Sequence, residues 1–135
     1  MKHSVLAWLQ ACEEDLSAAE SLLQSKVAAG AASFHAQQCV EKCLKAVLEQ
    51  YTKTVPKIHD LDKLFYEAQK YINIETDEII VNKLNMLYIK SRYPGAFGFL
   101  PDGKPSMEEV ESFYNFANNI YDMVKIHLKD QVIGK

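Results

Sequence analysis

Three groups of side chains in this sequence have the types and spacing to do chemistry. His35-x3-Cys39-x3-Cys43 joins histidine to cysteine, which is a zinc palette. On one helix, however, His35 and Cys43 would stand about 12 Å apart along the axis, while zinc–ligand bonds are only about 2.0–2.3 Å long. No CxxC or HxxxH elsewhere supplies partners, so no metal site is expected and the thiols read as core packing. The second group is the polar row Gln38, Glu41, Lys42, Lys45 and Glu49, at helical spacings of three and four. It is either a solvated face laced with pairs such as Glu41–Lys45, or a strip lining a groove with lysines for phosphate. The third group is His59-Asp60-Leu61 and Ser91-Arg92-Tyr93-Pro94. Arg92 is the sole arginine among 15 basic residues, and its guanidinium can grip phosphate with two parallel bonds. Tyr93 offers a ring for a base. The plain alternatives are that His59 or Asp60 caps a helix and that Arg92 offsets a helix dipole. If a binding site exists, its expected members are Arg92, Tyr93, His59 and Lys45.

The elements that must position these groups are helical nearly throughout. Val5, Leu9, Cys12, Leu16, Ala19 and Leu23 form one apolar stripe, which predicts a first helix over 4–28 with Gly30 just past its end. A second helix is expected over 32–53 on Ala36, Val40, Cys43 or Leu44, Val47 and Tyr51, and Pro56 forbids its continuation. A shorter third helix is expected over 59–71, with Leu61, Leu64, Phe65 and Ala68 inward. Thr76 or Asp77 opens a fourth over 77–91. The stretch from Pro94 to Pro105 is rich in proline and glycine and is expected to be the one long, mobile loop. Ser106 and Glu109 spell a capping box that starts a last helix over 107–129. The fold class is therefore all-α, an up-and-down four-helix bundle with an additional short helix. Antiparallel neighbours would bring Trp8, Glu49, Tyr51, His59 and Arg92 to one end of it.

Composition sets the outer limits. A chain of 135 residues is expected to be a single domain over 1–135. Hydrophobic residues at 48% and charged residues at 24% give ordinary globular composition, not a disordered chain. The net charge of −3 argues against a broad basic nucleic-acid clamp and leaves room only for a local patch. The first residues lack the apolar core of a signal peptide, and no apolar run reaches membrane-spanning length. Three cysteines in apolar segments read as reduced thiols, so a cytoplasmic protein is expected. Phosphate-loop, dinucleotide, nucleophile-elbow and zinc-protease motifs are all lacking. Ile79, Tyr88, Phe113 and Phe116 exceed what one buried stripe needs, which suggests a homodimer.

The run from Phe34 to Leu48, FHAQQCVEKCLKAVL, resembles the second-helix signature of HEPN domains. His59-Asp60-Leu61 at the next helix start and the Arg92-Tyr93-Pro94 turn are similar to the same family, in the same order. The resemblance covers most of the chain. It implies a nucleotide- or RNA-associated helical module, without a cofactor, that works beside a minimal nucleotidyltransferase partner, in some cases as a toxin–antitoxin pair. Ribonuclease members carry an arginine, four to six residues, then a histidine. Here Phe97, Gly98 and Phe99 stand where that histidine would fall after Arg92. The resemblance therefore implies binding, not catalysis. A metal-independent ribonuclease using Arg92 and His59, or a purely structural dimerisation module, are the alternatives.

Overall fold

The computed structural model describes residues 2–90 and 103–133. Arg92, Tyr93 and, of the loop expected from Pro94 to Pro105, residues 94–102 lie outside the described residues. Among the described residues there are five helices: α1 (His3–Ser21), α2 (Ala29–Tyr51), α3 (Leu61–Ala68), α4 (Glu78–Lys90) and α5 (Met107–Ile133). No strand occurs among the described residues. The fold is an all-α bundle in which α3 is the short extra helix.

The helix starts follow local chemistry. Asp60, not His59, caps α3, its Oδ1 accepting from the Asp62 and Lys63 amides. Asp77 does the same for α4 through the Ile79 and Ile80 amides. At α5 the capping box is complete: the Glu109 amide donates to Ser106 Oγ, and the Ser106 amide donates to Glu109 Oε1, each at 3.1 Å. Burial with hydrogen bonds from Ser106 and Lys83 shapes the Glu109 carboxyl. Burial alone would raise its pKa, yet those bonds hold it below the ordinary value.

The boundary between the first two helices differs from expectation. α1 stops at Ser21, and short backbone turns at Leu22, Leu23 and Ser25 lead into α2. Gly30 therefore sits inside the first turn of α2, buried, and not beyond the end of α1. Its φ is not positive, since Gly103 is the one glycine with positive φ among the described residues. The small residues Ala29, Ala32 and Val110 pack closely there, with Leu22 and Leu23 beside them.

Side-chain pairs give the directions. Lys2 reaches the Glu49 carbonyl while Asp15 meets His35 and Lys42, so α1 and α2 are antiparallel. Tyr114 donates to Glu20 and Tyr121 to Glu13, so α5 is antiparallel to α1 as well. α2 is the central helix and packs on all the others, whereas α1 packs on α2 and α5 only. Its core face carries Ala36, Val40, Cys43, Leu44 and Val47, all at most 1% exposed. Cys12, Cys39 and Cys43 are free and buried together in this core. Burial, and hydrogen bonding to Cys12 and Cys39, push the Cys43 thiol up. Phe113 is 1% exposed and Phe116 packs on Phe65, so two of the four residues suggestive of dimerisation serve the chain's own core. Tyr88 is also engaged within the chain, against His59.

Candidate functional site

Between α2 and α3 the chain runs back along α2. The Thr52 hydroxyl donates to the Leu48 carbonyl at the end of the helix, and residues 55–60 follow without helix or strand. His59 consequently meets Glu41, which lies about 15 Å before Tyr51 at 1.5 Å per residue. This corrects the expectation that His59 sits with Tyr51 at the end of the bundle. Tyr51 instead stacks on Tyr71, ring centroids 5.0 Å apart, and its hydroxyl bonds His127 Nε2.

At Glu41 two expected site residues converge. Lys45 Nζ donates to Glu41 Oε2 at 3.2 Å, and His59 Nδ1 donates to the same oxygen at 3.0 Å. Gln37 Nε2 donates to Glu41 Oε1 at 3.3 Å, and Gln37 Oε1 accepts from Gln38 Nε2 at 2.7 Å. The Lys45 and Glu41 side chains are only 7% and 5% exposed. Trp8 of α1 lies over the lysine, its ring centroid 5.8 Å from Nζ. The Glu41–Lys45 pair of the polar row is thus a buried network and not a solvated face. Among the described residues no buried side-chain nitrogen or oxygen lacks a partner.

His59 itself is 39% exposed on its side chain. Its ring stacks on Tyr88 of α4, centroids 4.4 Å apart and planes at 23°. With Nδ1–H committed to a carboxylate, a neutral ring presents Nε2 as an acceptor, and a protonated ring presents it as a donor. Among the described residues Nε2 has no hydrogen-bond partner. His59 and Tyr88 line an open groove of about 350 Å³ with Lys57, Asp60, Lys63 and Asn85. Asn85 Oδ1 accepts from the Leu61 amide, and its Nδ2 donates to Asp60 and Asp62, which locks α4 onto the start of α3. Lys57 and Lys63 supply exposed cations at the rim.

A second carboxylate has a similar set of partners. Asp15 Oδ1 receives from His35 Nδ1 at 2.9 Å, and Oδ2 receives from Lys42 Nζ at 2.6 Å. This contact joins α1 to α2. His35 is thereby drawn away from the cysteines, of which Cys39 and Cys43 are 3.9 Å apart. Among the described residues no group of three or more histidine, cysteine, aspartate or glutamate side chains can hold a metal ion.

Lys45 and His59 therefore share one carboxylate, while Arg92 and Tyr93 lie outside the described residues. Lys57, Lys63, Asn85 and Tyr88 join the groove although no motif in the sequence marks them. The only signal was the helix order, which brings the start of α3 to α4.

Fold and groove together define an all-α module organised around a polar network on its central helix. The HEPN domain model matches residues 5–127, and the chain belongs to the HEPN family, whose members are nucleotide- or RNA-binding modules. A comparison with curated proteins returns no match. Among solved structures, the chain is similar to the crystal structure of ST0689, an archaeal HEPN homologue. The TM-score is 0.60 at 22% identity, with 94% of this chain and 98% of the other covered. That likeness establishes the shared fold. No described helix is long and apolar enough to cross a membrane.

Proposed function

We propose that this HEPN chain binds a nucleotide or an RNA segment in the groove that the stacked His59 and Tyr88 rings line with Lys57, Lys63 and Asn85. The observation that carries the proposal is the shared Glu41 oxygen, which fixes the His59 ring beside two exposed lysines. Lys57 and Lys63 supply charge for phosphate, and Nε2 of a protonated His59 supplies a directed donor. Lys45 contributes by holding Glu41, since its ammonium is already committed. Arg92 and Tyr93 come two and three residues after the end of α4 and extend the site in this proposal with a guanidinium and a second ring. A minimal nucleotidyltransferase, in a toxin–antitoxin-type pair, is the proposed partner, and the proposed location is the cytoplasm.

Titration with AMP and with a short single-stranded RNA at low salt tests this. Saturable binding that raises the melting temperature, and that His59→Ala weakens at least tenfold, is the expected result. A ligand at about 100 times its dissociation constant adds about 2.7 kcal/mol of stability. No binding at millimolar ligand would overturn the proposal.

One observation favours a second reading. A carboxylate-held imidazole is the arrangement of a general base, so His59 with Arg92 would suit metal-independent cleavage of RNA. Turnover of RNA in EDTA, lost in His59→Ala, would establish that reading, and its absence would leave the binding module.

A further inference from the structure

Next to the His59 groove lies a larger hollow of about 520 Å³, and Ile58 and Lys63 line both. Its origin is local. α3 buries Leu61, Leu64, Phe65 and Ala68, which leaves Asp62, Lys63, Tyr66 and Glu67 on its outer face. The segment after α2 brings Pro56 and Ile58 to that face. The walls are mainly apolar, Tyr66 is 65% exposed, and the volume falls within the range of small-molecule sites. At the edge, Asp62 and Glu67 outnumber Lys63, so the hollow disfavours a phosphate. It suits a flat, neutral ring that carries N–H donors.

We infer that this hollow receives the base of a nucleotide whose phosphate occupies the His59 groove, and that it selects bases bearing an exocyclic amino group. The inference rests on the proposed nucleotide binding and adds the position and chemistry of the base. Ionised carboxylates only accept hydrogen bonds, so Asp62 and Glu67 favour the amino group of adenine and oppose a carbonyl at the same place. Asp62 already receives from Asn85 Nδ2 at 3.3 Å, and Glu67 from Lys70 Nζ at 3.0 Å. Each has a second oxygen for a ligand. Burial, with Asp60 and Glu78 nearby, pushes the Asp62 carboxyl up, and an arriving N–H relieves that crowding. Lys70 lies 4.9 Å from the Tyr66 ring centroid. A ring has two faces, so the cation does not exhaust it. Lys63, shared by both hollows, stands where a sugar–phosphate link would pass.

Calorimetric titration of the wild-type chain and Tyr66→Ala with AMP, IMP and ribose 5-phosphate tests the inference. The exposed Tyr66 can be truncated without opening the core. AMP is expected to bind about tenfold tighter than ribose 5-phosphate, the scale of base–aromatic stacking, and IMP, which stacks but carries a carbonyl in place of the amino group, is expected to bind more weakly than AMP. Tyr66→Ala is expected to bring AMP down to the level of ribose 5-phosphate and to leave the latter unchanged. Equal binding of all three by the wild type, or an unchanged AMP affinity in Tyr66→Ala, overturns the base subsite and leaves the phosphate groove standing. If none of the three binds, both readings fall.

Discussion

Removing the Glu41 carboxylate would leave the Lys45 ammonium 7% exposed and without its acceptor. Truncating one partner of a buried pair costs about 3–5 kcal/mol, so Glu41→Ala should lower unfolding free energy by that order in chemical denaturation. Asp15→Ala should cost less, because its partners His35 and Lys42 are 37% and 27% exposed and can turn to water. Equal losses would show that burial does not set the difference. Glu41 also illustrates where sequence reading stops. A row of Gln, Glu and Lys at helical spacing has the same pattern whether water or another segment covers it. What decides the matter is the path of residues 52–60 back along α2, and no local propensity encodes that path. Lys57, Lys63 and Asn85 escaped notice for the same reason: each is an ordinary polar residue until α3 and α4 meet.

At the scale of elements, local chemistry was far more legible. The inward residues of α3 and the Ser106–Glu109 box were readable from spacing, and the α4 cap was narrowed to Thr76 or Asp77, of which Asp77 is the one, since these depend on neighbours within one turn. Gly30 was misread because a glycine after an apolar stripe does not by itself tell the end of one helix from the first turn of the next, where Gly30 is buried. The α5 start gives two tests. Ser106→Ala should cost about 1 kcal/mol, the usual value of an N-cap. The lowered Glu109 pKa adds a pH signature: its contribution is present above the ordinary carboxyl value of 4.5 and is lost as pH falls through the lowered one. The stability gap between wild type and Glu109→Gln should therefore narrow toward acid, and a gap constant down to pH 2 would contradict the assignment. Just ahead of this helix, Gly103 has φ +112°, with nothing within 4 Å of an added Cβ. Gly103→Ala should thus cost about 1–2 kcal/mol through backbone strain alone.

For the whole molecule, burial of Phe113 and the packing of half-buried Phe116 on Phe65 remove part of the sequence argument for a homodimer. Ile79, Met123 and Ile126 remain exposed, at 71%, 38% and 60%, and a dimer remains our proposal on that ground. Sedimentation at tens of micromolar should show it, which probes a dissociation free energy of roughly 6–7 kcal/mol; monomer alone would end the idea. The central claim, that the groove over Glu41 takes a nucleotide, is tested most directly by mapping amide chemical-shift changes while AMP is added to isotopically labelled protein. The account predicts the largest shifts at Lys57–Lys63 and at Asn85–Tyr88, saturating together. No shifts at millimolar AMP, or shifts confined to the opposite end around Lys26–Ala29 and Lys104–Met107, would contradict it.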